Sequence, residues 1–251
     1  MPQIIAAEPD DRLVLCYHAV SDTARSKLQV PSAVLHRQLS ALLARGYEAV
    51  TFQQAVCDPA RSRKLAVTFD DAEPNVLALA LPVLAELGLP GTVFVPVAQV
   101  GGVAMSWDDL SALAAAGWEI GSHTLSHARL PGLDEASLER ELRGSREAIE
   151  SALGRPCRSI AYPYGEVDAR VREAAAHAGY SAGCTTDGVL RVGDPLLSPR
   201  VGVDGRDSCF MFRVKTSRAG RTLRASALGT PLGLVGRAAR SFTAQSVLRQ
   251  R

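Results

Sequence analysis

From residue 12 to about residue 203, short apolar runs alternate with stretches of helical periodicity. This alternation constrains the fold more than any other feature. The runs are Leu13–Tyr17, Tyr47–Val50, Leu65–Phe69, Thr92–Val97, Trp118–Ile120, Arg158–Tyr162, Ser181–Thr185 and Arg200–Val203. Runs this short, closed by turn residues, read as buried strands. Between them, Leu35, Leu39, Leu42 and Leu43 share a helical face after Ser32, and Leu138, Leu142, Ile149 and Leu153 do so after Asp134. Further helices are expected over about 75–87, after Ser106, and from Asp168 to His177. Ser32, Ser106 and Asp134 stand where N-caps are wanted; Gly46, Gly88, Gly117 and Gly179 stand where helices stop. Strand–helix repetition without a linker means βαβ units and a parallel sheet. Seven or eight such strands favour a closed or nearly closed barrel, and 251 residues suit one. Aromatic residues are 5% of the chain, so the core must be mostly Leu, Val and Ala.

In a parallel barrel, functional groups gather where strands end and loops begin. Four polar clusters fall at such places: His18, Asp70-Asp71, His123 with His127, and Tyr162-Pro163-Tyr164-Gly165. The Asp pair directly follows an apolar strand, where two adjacent carboxylates repel and lose solvation. A metal ion on one would relieve this and leave the other as a base; a helix N-cap is the other reading. His123 and His127 have i, i+4 spacing, which on a helix places both on one face for a metal. Two polar loop histidines are the alternative. The Glu that a zincin motif requires after its first His is Thr124 here. Two His and one Asp leave coordination positions open, as in catalytic sites. No GxGxxG or GxxxxGK[ST] follows the first strand, so nucleotide binding through those loops is not expected.

The five cysteines are odd in number and lack CxxC spacing, which argues against a disulfide framework or a structural zinc site. Met1 to Asp11 carry three acids and no base, unlike a secretory signal, and no run of about 18 apolar residues is present. A cytoplasmic location is therefore expected. The last acid is Asp207, and nine of the 28 basic residues follow it, leaving 19 basic against 26 acidic before that point. A basic tail on an acidic body suits either a solvated terminus or peripheral contact with an anionic membrane on its inner face. The expected organisation is a lead over 1–11, a catalytic domain over 12–212 and a basic tail over 213–251.

Thr68-Phe69-Asp70-Asp71, then His123-Thr124-Leu125-Ser126-His127, then Tyr162-Pro163-Tyr164-Gly165 resemble the polysaccharide deacetylases of the NodB-homology type, carbohydrate esterase family 4. The resemblance runs from about Leu13 to Val203. It implies a distorted (β/α)7 barrel and a divalent metal, usually zinc, with cobalt, nickel or manganese as substitutes. It implies hydrolytic removal of acetyl groups from N-acetylated sugars, a carbon–nitrogen bond other than a peptide. Residue by residue, it implies Asp70 as base, and Asp71, His123 and His127 as metal ligands. Tyr162 to Gly165 would line the pocket, with the Tyr164 N–H on the oxyanion.

Three positions depart from the family pattern. Ala72 stands where Gly is usual, Ala161 where an Arg normally contacts the base, and no His after His177 can supply the late general acid. Tyr17-His18 resembles the start of the exopolysaccharide and poly-N-acetylglucosamine deacetylase branch, in which a first-strand His takes the acid role; this carries onto His18. Arg200, at a later strand end, is expected to replace the missing Arg as orienter of Asp70. The other readings are an amide or imide hydrolase on a small non-sugar molecule and a glycan-binding homologue with an impaired site. Neither a nucleic-acid partner nor an obligate protein partner is expected.

Overall fold

The computed structural model describes residues 11–23, 26–58, 63–186 and 194–222. The strands are β1 Leu13–Tyr17, β2 Ala19–Val20, β3 Gln29–Val30, β4 Glu48–Ala49, β5 Lys64–Phe69, β6 Thr92–Val95, β7 Glu119–Ser122, β8 Ser159–Ala161, β9 Ala182–Thr186 and β10 Ser198–Gly202. The helices are α1 Ser32–Leu43, α2 Phe52–Cys57, α3 Leu81–Glu86, α4 Trp107–Ala115, α5 Glu135–Glu139, α6 Ser145–Leu153, α7 Ala169–His177 and α8 Cys209–Thr216. Strand β1 pairs in parallel with β5 on one side and β10 on the other, closing β1 and β5–β10 into a seven-stranded ring. This is the (β/α)7 barrel implied by the sequence. The expected strand over 47–50 shrinks to two residues paired with the start of β5, because Thr51 leaves it to cap α2 in a reciprocal box with Gln54.

Alternation along each strand separates two cores. Leu13, Leu15 and Tyr17 point outward into the large cluster beneath the helices. Val14, Ala66, Phe94, Ala161, Ala182 and Cys184 point inward, and Phe52 of α2 plugs the ring by packing edge-on against Phe94 at 5.5 Å. The inward residues are mostly small, which leaves room in the barrel for one long side chain, that of Arg200.

Ser106, Asp134 and Asp168 cap α4, α5 and α7 through their side chains. Ser32 does not act as the cap of α1: Pro31 holds that position, and the Ser32 hydroxyl donates to Asp22 instead. The stripe beginning at Leu138 runs through a π turn, Arg140–Gly144, that joins α5 to α6. There the Ser145 hydroxyl bonds back to Glu141 O and Leu142 O, drawing the helix out of α register.

Helix α8 carries no clear periodic signal. It is held by buried Phe212 and Thr216, and Arg45 donates to Thr216. Arg221 donates to Asp11. Residues 213–222, grouped with the tail on charge, are thus folded against the barrel. The remaining tail cations, Arg224, Arg237, Arg240, Arg249 and Arg251, lie outside the described residues. Among the described residues no helix is long and apolar enough to cross a membrane.

Candidate active site

Because the ring is parallel, the loops after β1, β5, β7 and β8 open at one end. Asp70 follows β5 and is 2% exposed. Its backbone N–H donates to Tyr17 O, and its carboxylate faces the barrel axis, where Arg200 rises from β10. The guanidinium forks onto it, Nη1 to Oδ1 at 2.6 Å and Nη2 to Oδ2 at 2.7 Å. Arg200 also donates to Thr68 Oγ1 and Thr185 O, so all three of its nitrogens are engaged. The contact expected from strand-end placement is therefore present. Burial alone would raise the Asp70 pKa. The charge of Arg200, then His123, the Arg200 hydrogen bonds and His18 reverse this and hold the carboxyl well below the usual range.

Cys16, on the inward face of β1, donates to Asp70 Oδ2 at 3.5 Å. Burial pushes its thiol pKa up, so it sits there neutral. Sequence reasoning missed Cys16, although its position two residues before His18 on the same strand face was a usable signal. His18 is half-buried, and Cys16, His18 and Asp70 each offer an atom within 4.8 Å of the others. With Asp70 already taken by a fixed cation and the thiol protonated, this trio is an environment for a base, not a metal site.

Asp71, His123 and His127 form a second group within the same 4.8 Å limit. Asp71 Oδ1 lies 3.6 Å from His123 Nε2 and 3.5 Å from His127 Nε2. His123 Nδ1 is 2.7 Å from Ala161 O. A carbonyl can only accept, so Nδ1 carries a proton, which leaves Nε2 as the ring nitrogen that can serve as a ligand on the side of Asp71. Burial, then the neighbouring His123, lowers the His127 pKa despite the opposing effect of Asp71 and Asp70. Two imidazole Nε2 atoms and a carboxylate oxygen thus converge on one point. This donor set, with its backbone partner fixing the tautomer, fits a divalent cation.

The two histidines do not converge through a helix. Thr124 and His127 have φ of 67° and 62°, so the segment folds as a loop. Thr124 N–H donates to Ser122 Oγ, which donates to Ser145 Oγ, and Ser126 is held by Glu141. Among the described residues the non-glycine positions with positive φ are Asp71, Ala72, Thr124, His127 and Tyr164, all in these site loops. Such backbone costs about 1–3 kcal/mol per residue and persists only where its surroundings enforce it. At Ala72 the buried methyl, worth about 0.8 kcal/mol, offsets much of that cost. Alanine is thereby tolerated where the family pattern has glycine. Ser122→Ala is expected to leave the Thr124 N–H without its partner, costing about 1–3 kcal/mol. It should also weaken metal binding by about 10–100-fold in a calorimetric titration.

Tyr164 is 41% exposed and lines the opening. Its ring meets His127 edge-on at 4.9 Å, and the Arg129 guanidinium covers its other side at 4.1 Å from the ring centre. Arg129 also pairs with Glu166. No periodic or motif signal marked Arg129. Pro163 and Gly165 are buried and shape the turn: Gly165 has φ 70°, and a Cβ there would lie 2.7 Å from Thr186 N. Tyr162 does not line the pocket. Ala161 points into the barrel, so Tyr162 points out beneath the helices, fully buried, with its hydroxyl beside Gly183.

The pattern that defines the polysaccharide deacetylases matches residues 58–183, half of the chain. The chain belongs to the polysaccharide deacetylase family. It is 27% identical over 180 residues to YxkH, a polysaccharide-deacetylase-like chain of Bacillus subtilis, covering 69% of this chain and 64% of that one. It is 34% identical over 132 residues to a chitooligosaccharide deacetylase of Rhizobium leguminosarum bv. trifolii, covering 52% and 58%. The chain thus spans less than two thirds of the length of these relatives. A polysaccharide deacetylase from Bacillus cereus superposes with a TM-score of 0.73 at 28% identity, covering 82% of this chain and 69% of that one. In this member of the family all three sequence motifs lie at one end of the barrel, and Arg200 reaches Asp70 from a strand outside them.

Proposed function

We propose that the chain hydrolyses the acetamide of an N-acetylated sugar, releasing acetate and the free amine. The observation that carries this reading is the division of labour within one Asp pair. Asp70 is locked to Arg200 in the barrel, while Asp71 turns the other way to meet His123 and His127. A divalent cation on Asp71, His123 and His127, zinc or one of cobalt, nickel and manganese, would polarise the acetyl carbonyl and acidify a water. Asp70, kept ionised by Arg200, takes the proton of the attacking water. The Tyr164 backbone N–H is the donor this reading assigns to the oxyanion. His18 donates a proton to the nitrogen as the C–N bond breaks, so that the amine does not leave as an anion. In this reading Arg200 and His18 take the two roles left open at residue 161 and after His177, the departures that kept an impaired homologue as an alternative.

The test is acetate release by metal-loaded protein from N-acetylhexosamine oligomers, set against ring opening of cyclic imides. Acetate with free amine is the expected result; imide hydrolysis without acetate release would overturn the reading. His123→Ala is expected to lose the metal together with activity, seen by metal analysis after gel filtration.

A further inference from the structure

Helix α8 buries Phe212 and Thr216 against the barrel and turns Phe210, Met211 and Val214 outward, 73%, 45% and 40% exposed. Positions 210 and 214, and 211 and 214, are helical neighbours, so the three make one apolar ridge. A second exposed apolar residue lies close by in the fold. Leu28, 53% exposed, sits in a segment whose carbonyls accept from both sides: Gly205 N–H donates to Lys27 O, and Ala19 N–H donates to Leu28 O. Gly205 has to be glycine for this approach, since a Cβ there would lie 1.9 Å from Gln29 O. The Leu28 backbone is thereby tied to Ala19, the residue after His18, and the ridge on α8 begins a short turn beyond Gly205. The apolar rim therefore flanks the mouth of the site.

Cations outnumber the unpaired acids here. Lys27, Arg206, Arg213 and Arg218 are exposed around the rim. Of the nearby acids, Asp207 is neutralised by Lys215 at 2.5 Å, which leaves Asp22 and Asp204, held by Ser32 and by Arg206 N, as the negative charges. An apolar ridge with a cationic border matches a surface that offers acyl chains beneath anionic headgroups. The three exposed apolar side chains on α8, with Phe210 73% exposed, form a patch of the kind that marks an interaction surface.

We propose that Leu28, Phe210, Met211 and Val214, bordered by Lys27, Arg206 and Arg213, dock this end of the barrel on an anionic lipid bilayer. The proposal stands apart from the reaction, because its readout is lipid binding. Full-length protein is spun down with vesicles of phosphatidylcholine alone or mixed with phosphatidylglycerol. Binding is expected only to the mixed vesicles. Phe210→Glu with Met211→Glu, and separately Arg206→Glu with Arg213→Glu, should each lower the partition coefficient at least tenfold. In Phe210→Trp the added indole should shift its emission to the blue on the mixed vesicles only. All of these positions are exposed, and an unchanged melting curve confirms that the variants fold. Undiminished binding by both double variants would overturn the proposal, since lipid contact would then lie with the basic segment after residue 222. An emission unchanged by vesicles would overturn it too. So would sedimentation velocity showing a dimer that Phe210→Glu converts to monomer, since the rim would then be a contact between two copies.

Discussion

Arg200→Ala is expected to lower the stability of the metal-free protein by about 3–5 kcal/mol, the cost of leaving a buried charge without its partner. The carboxylate left behind is 2% exposed and cannot rehydrate. The sign of the pH dependence follows from Asp70. In the native chain its pKa is held below the ordinary value, so its contribution is present above about pH 4 and is lost as pH falls through the folded value. Without Arg200, burial, the largest single influence on Asp70, acts with less opposition and raises the pKa. The ionised form then destabilises the fold at neutral pH, and protonation relieves it. Melting curves of the two proteins should differ most near pH 7, and the electrostatic part of the difference should shrink as pH falls through the raised pKa of the variant and vanish only below about pH 4, at the lowered pKa of the native carboxyl. Turnover should move the same way, the acid limb of the pH–rate profile shifting to higher pH. A variant with the native profile and native turnover would remove Arg200 from its positioning role.

Asp70→Asn is expected to reduce kcat by about 10²–10⁴-fold while metal remains bound, since the ligands Asp71, His123 and His127 are untouched. Asparagine keeps the shape and can still accept from Arg200, but it has no charge with which to take a proton. His18→Ala should give a kinetic loss of similar size, because the proposed mechanism gives both groups a proton transfer in the same reaction. The two variants separate on stability. Asp70→Asn leaves the buried Arg200 guanidinium without a counter-charge and should melt well below the native protein. His18 is half-buried at a strand end and should cost little. Equal melting temperatures with unequal rates would contradict the buried-pair account. Retained turnover in Asp70→Asn would remove it as the base.

Much of the fold was legible because barrel-forming patterns are local. Runs such as Leu13–Tyr17 and Leu65–Phe69 are continuous and apolar, since each strand is covered on one side by the barrel interior and on the other by helices. Side-chain caps at Ser106 and Asp134 were likewise visible, since a cap is made within three residues. Elements that depend on distant contacts were not. Helix α2 is only six residues long, and its Phe52 finds its place against Phe94 across the barrel. Helix α8 is fixed by Arg45, more than 160 residues earlier in the chain.

The sequence by itself determined the barrel, the end at which the polar loops meet, and the residue types at the centre, because strand period and motif spacing are properties of short segments. Only the tertiary structure decided which way each of those residues turns and what holds it there. Whether Asp70 or Asp71 turns inward depends on Arg200, 130 residues away, and on a positive φ at Asp71. The His pair meets Asp71 through a loop that Ser122 and Ser145 hold, not through helical spacing. Tyr162 leaves the pocket because strand alternation sends its ring to the opposite face from Ala161. Each of these is a matter of direction in space, set by hydrogen bonds between strands far apart in the chain.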